Sequence, residues 1–204
     1  RRRFLQMAGA SAVAAAVPGL TEAEELWSSG SATPTFKLPA GAVDCHMHIY
    51  DDRFPSAPGT TLRPPNASIE QYRKVQARLG MQRNVVVTPS TYGTDNRCTL
   101  DALKRLGPSA RGVAVVDTSV TQAQLAEMHA AGVRAIRFNL SYPGATTVDM
   151  LAPLASRIGA LGWHIELVVQ GAKLPALESH LLALPCPLAA LPYHAAFIDD
   201  LRDG

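Results

Sequence analysis

From Lys37 onward, short β-branched runs alternate with amphipathic stretches of helical period, and no other feature of this 204-residue chain constrains its fold as strongly. Ala42–Ile49, Asn84–Thr88, Gly112–Asp117, Val133–Phe138 and His164–Val169 read as strands. Between and after them, Ser68–Leu79, Arg97–Leu106, Thr121–Ala131, Thr147–Leu161 and Leu174–Leu184 read as helices. Strand–helix alternation with short connections implies parallel strands joined by right-handed crossovers. Two architectures satisfy that rule, a doubly wound open sheet and a (β/α)₈ barrel. A doubly wound nucleotide site needs a glycine-rich turn after the first strand, and none is present; a P-loop and a Gly-x-Ser-x-Gly elbow are absent too. The barrel is therefore expected. Complete barrels of this kind run to about 250 residues. The chain has about five to six βα units, so the expectation is an α/β fold, an incomplete (β/α)₈ TIM-type barrel over residues 39–188.

Composition excludes several other classes. With 47% hydrophobic residues the chain has enough apolar side chains for a sizeable core, which rules out disorder. A formal net charge of +2 is far from the basic balance that nucleic-acid binding requires. Three cysteines (Cys45, Cys98, Cys186) are too few and too scattered for a disulfide framework. No apolar run reaches the roughly 18 residues that a membrane span needs. The N-terminal Arg1-Arg2-Arg3-Phe4-Leu5, followed by an alanine-rich stretch to Pro18, is similar to a twin-arginine export signal. Residues 1–18 are thus expected to be a signal, residues 19–38 a linker, and the protein periplasmic or secreted.

The chemistry concentrates at strand ends. In Asp44-Cys45-His46-Met47-His48, residues i and i+2 of a strand share a face, so His46 and His48 project together. Two neutral imidazoles at the C-terminal end of a barrel strand suit one divalent metal, zinc among them. Cys45 falls on the opposite face and is expected to be a packed core thiol. His129 and His180 fall on helical patterns and read as helix-surface residues. His164 opens its strand at the end away from the mouth.

Val43-Asp44-Cys45-His46-Met47-His48-Ile49-Tyr50, with Phe54-Pro55 after it, resembles the opening of the amidohydrolase superfamily, specifically amidohydrolase-related family 2. Leu79–Val87, Ser90–Asn96 and Gly132–Asn139 agree with the branch that contains 2-pyrone-4,6-dicarboxylate lactonase. The resemblance covers Lys37 to about Pro187. It implies a hydrolase acting on a lactone or related carboxylate ester, with a small-molecule partner and no nucleic acid. The roles it implies are His46 and His48 as catalytic and metal-binding residues, and Ser90, Tyr92, Asn96 and Arg137 as substrate-binding residues. It also implies that the metal is dispensable in some members of the branch, so a bound divalent ion and no cofactor at all both stand. A guanidinium fork at Arg137 matches a planar carboxylate better than lysine would. For Ser90, a turn or N-cap hydroxyl is the competing reading.

Departures from the branch narrow the expectation. Asn139-Leu140-Ser141-Tyr142-Pro143-Gly144 lacks a second arginine, and valine at Val168 or Val169 stands where a tyrosine is expected. Both changes point to a less anionic lactone or ester. After Leu188 the pattern no longer matches, so residues 189–204 are expected to be a divergent tail. His194, Asp199 and Asp200 then read as tail residues rather than a third histidine and a catalytic aspartate. The expectation is a C-terminally truncated barrel with impaired hydrolysis and open sheet edges that favour self-association. The alternatives are a lactone isomerase or decarboxylase on the same scaffold, or an inactive barrel fragment.

Overall fold

The computed structural model describes residue 32 and residues 34–193. The export signal and most of the linker lie outside the described residues, as do His194, Asp199 and Asp200. Six strands run in chain order, β1 (Val43–Met47), β2 (Arg83–Val87), β3 (Ala110–Ala114), β4 (Val133–Asn139), β5 (His164–Gln170) and β6 (Leu188–Tyr193). Five helices connect them, α1 (Ile69–Leu79), α2 (Arg97–Leu106), α3 (Gln122–Ala130), α4 (Leu151–Gly159) and α5 (Leu174–Leu182). The strands form one sheet in the order β1-β2-β3-β4-β5-β6, and every neighbouring pair is parallel. This is a curled part of a TIM-type α/β barrel. Among the described residues, no helix is long and apolar enough to cross a membrane.

Local chemistry explains why the elements begin and end where they do. Ser68 and Thr121 each make a capping box, accepting from the backbone N–H three residues on while Gln71 and Gln124 reach back to the cap. Gly80 ends α1 at φ 77°, a left-handed conformation that suits glycine. The strand expected at Gly112–Asp117 is displaced to Ala110–Ala114, because the Val115 N–H leaves the ladder and donates to Asn96 Oδ1 at 2.9 Å. A short 3₁₀ turn at Val148–Met150 delays α4 to Leu151. β6 pairs with β5 from Leu188 to Tyr193, so the segment expected to diverge begins inside a strand.

The two faces of the sheet differ. Ile136, Phe138, Ile165 and Leu167 pack outward, joining Leu125, Leu154, Ile158 and Trp163 in one fully buried core. The inner face is lined by smaller groups, with Val87, Val113 and Ala135 packed beside Val85. Two expectations need correcting. Cys45 is exposed rather than packed, because β1 is an edge strand whose register shifts between Asp44 and Met47. His129 is not simply a surface residue of α3. It lies parallel to the fully buried Trp163, and its Nδ1 accepts the indole N–H at 2.9 Å.

Candidate active site

The inner face carries its chemistry at the C-terminal ends of β1, β4 and β5. The β1 irregularity sorts the side chains. Asp44 turns to the helix side, where its Oδ2 accepts from the Tyr72 hydroxyl of α1 at 3.2 Å, whereas His46 and His48 face inward. Their rings meet edge to face, with centroids 5.0 Å apart. On β4 and β5 the register sets Arg137 opposite Glu166, so a buried guanidinium and a buried carboxylate lie side by side.

His48 is strongly perturbed. Its Nδ1 lies 2.7 Å from the Val87 carbonyl oxygen, which can only accept, so Nδ1 carries the proton. Burial pushes its pKa from 6.5 down to about 4; the nearby Arg137 and His46 charges act the same way, against the Val87 hydrogen bond and the Glu166 charge. The ring is therefore neutral at pH 7, with Nε2 bare. Burial also lowers the Arg137 pKa, opposed by the negative charge of Glu166. Tyr50 follows on the same inward parity, its ring 6.0 Å from that of His48, and burial raises its phenol pKa.

Ser90 lies at the rim, exposed, and its Oγ accepts from Asn139 Nδ2 at 3.1 Å. That contact leaves the Ser90 O–H free to donate. His46, His48, Ser90 and Arg137 thus come from three strand ends that open on one side of the sheet. Tyr92 and Asn96 are spent on the scaffold instead. The Tyr92 hydroxyl accepts from the Asp51 N–H at 2.9 Å and donates to the Asp51 carbonyl, and the residue is 3% exposed. Asn96 Oδ1 accepts from Thr88 and from the Val115 N–H, while Nδ2 donates to the carbonyls of Thr94 and Val115. Both residues hold the loop after β2 against its neighbours, and neither has a polar atom to spare for a ligand.

Glu166 was missed in the sequence, although a glutamate on the inward parity of an apolar strand next to Arg137 is a visible signal. Its Oε1 lies 3.2 Å from His46 Nδ1 and 3.7 Å from Arg137 Nε. These separations are ion-pair distances without hydrogen-bond alignment, so all three buried atoms lack a hydrogen-bond partner. As for a metal, catalytic zinc centres use three protein ligands. Among the described residues, no group of three His, Cys, Asp or Glu side chains is placed to hold an ion. His46 and His48 offer two imidazoles toward such a centre, one ligand fewer than it uses.

Consecutive parallel strands with paired histidines at the C-terminal mouth define the TIM-type barrel class. The amidohydrolase family model matches residues 43–203, and the chain belongs to that family. It is 42% identical over 163 residues to a 2-pyrone-4,6-dicarboxylate hydrolase of Comamonas testosteroni, covering 78% of this chain and 53% of that protein. It is 30% identical over 145 residues to a D-galactarolactone isomerase of Agrobacterium fabrum, covering 70% of this chain and 49% of that protein. A crystal structure from Agrobacterium tumefaciens superposes with a TM-score of 0.71 at 27% identity, covering 76% of this chain and 58% of that one. The chain spans about half the length of the curated relatives it matches.

Proposed function

We propose that this site belongs to a hydrolase acting on a lactone, or a related carboxylate ester, that carries a single carboxylate. The observation that carries the reading is a neutral His48, its Nδ1–H fixed on Val87, facing the same mouth as the Arg137 guanidinium. A fixed neutral imidazole acts as a general base through Nε2. His48 takes a proton from water, the hydroxide oxygen bonds to the lactone carbonyl carbon, and the ring C–O bond breaks. The proton returns to the departing alkoxide, giving a hydroxy acid. Arg137 orients the substrate through its carboxylate. Arg137 is already beside the Glu166 carboxylate, which supports a less anionic substrate than a dicarboxylate.

Binding tests this directly. Calorimetric titration with monocarboxylated lactones should give heats that Arg137→Ala abolishes; equal affinity in that variant would remove the reading. The D-galactarolactone isomerase among the relatives supports a second reading, in which the acyl group moves to another hydroxyl of the same molecule. Proton NMR of the product separates the two, since hydrolysis leaves an open hydroxy acid and isomerisation a rearranged ring. Divalent-metal binding at His46 and His48 is a further proposal, resting on their shared face, and elemental analysis of the purified protein tests it. Export by the twin-arginine route rests on Arg1 to Leu5, and Arg1→Lys with Arg2→Lys should retain the precursor in the cytoplasm. Self-association rests on the single-sided pairing of β1 and β6 among the described residues, and light scattering after size exclusion should detect it.

A further inference from the structure

We infer that Glu166 is a positioning residue that fixes which ring nitrogen of His46 carries the proton. Burying a carboxylate in the inner layer of a sheet is costly unless it is paired. Glu166 is 6% exposed, and both groups facing its Oε1 are nitrogen donors of the proposed site. His46 Nδ1 is the nearer of the two, at 3.2 Å against 3.7 Å for Arg137 Nε. A carboxylate oxygen accepts, so the ring proton that satisfies it is the one on Nδ1. Nε2, on the far side of the ring, is then left bare. His48 reaches the same state by a different route, through the Val87 carbonyl. A backbone acceptor and a side-chain carboxylate thus impose one tautomer on both members of the pair. A second group that fixes the tautomer is what a base or metal-ligand imidazole requires.

A purely structural ion pair explains less. Such a pair would be aligned and satisfied, whereas His46 Nδ1, Arg137 Nε and Glu166 Oε1 remain close and unbonded. Glu166 Oε1 and His46 Nδ1 are already at 3.2 Å, so what that contact lacks is alignment rather than approach. The inference rests on reading this mouth as the active site, yet its test needs no substrate.

The experiment is two-dimensional ¹⁵N–¹H NMR of the histidine rings in the full chain, labelled on histidine and held at neutral pH. In the parent protein, His46 and His48 should both show a protonated Nδ1 and a bare Nε2. Glu166→Leu should switch His46 to the Nε2–H form that free neutral imidazole prefers, while His48 keeps its signals and reports an intact fold. Glu166→Gln retains an acceptor oxygen and should retain the Nδ1–H form. A parent His46 already protonated on Nε2 would overturn the inference whatever the variants do. So would a Glu166→Leu protein in which His46 is unchanged. If Glu166→Leu does not fold, the parent spectrum alone still decides.

Discussion

β4 and β1 have the same parallel geometry and contribute to the same mouth, but they are built to different standards. In β4, Val133, Ala135, Ile136, Arg137 and Phe138 are all buried, because the strand is paired on both sides and backed by helices. In β1, only Met47 is buried, Val43 is 36% exposed and Cys45 is open to solvent. Yet β1 supplies both histidines, and β4 supplies the guanidinium. The central strand therefore holds its guanidinium rigidly, whereas the histidine pair sits on a strand at the edge of the described sheet.

The largest effect should come from the centre. Phe138→Ala removes a fully buried ring and should cost about 3–5 kcal/mol in urea unfolding; a loss below 1 kcal/mol would erase the contrast with β1. The edge should show its own signature in pH. His48 has its folded pKa depressed from 6.5 to about 4, so the unfolded chain binds the proton first as acid is added. The neutral ring's contribution is complete above pH 6.5 and is lost as pH falls toward 4. The loss is on the order of 3 kcal/mol, and His48→Gln should flatten that part of the urea-midpoint profile. Ser68→Ala, which removes the α1 capping box, should cost about 1 kcal/mol in the same assay. Val43→Ala on the exposed edge should stay within about 0.5 kcal/mol of the parent; a larger loss would mean that β1 is covered in solution.

Much of this was legible in the sequence because the two periodicities are clean. The strand pattern at Val133–Phe138 and the helices beginning near Ser68 and Thr121 depend on neighbours in sequence, and they appear where expected. What was not legible depends on partners distant in sequence. Tyr92 was read as a pocket residue, but its hydroxyl is taken by the backbone of Asp51. Asn96 was read the same way, but the Val115 backbone 19 residues on takes both ends of its amide. Glu166 escaped notice because its meaning comes only from the β4–β5 register that sets it opposite Arg137. Cys45 was misplaced because strict alternation has no room for an irregular strand.

That irregularity bears on which insertions and deletions the lineage can tolerate. Val43 pairs with Arg83 and Asp44 with Asn84, but the next partners are Met47 and Val86, so β1 uses one residue more than β2 over the same length. Cys45 is the surplus. A chain lacking Cys45 would bring β1 back into even register, with His46 and His48 still on the lumen side. A chain lacking Met47 would turn His48 toward the helices, since a slip of one residue reverses the faces of a strand. The two deletions differ by two positions in sequence, but only the first should keep the His48 ring signals of the parent.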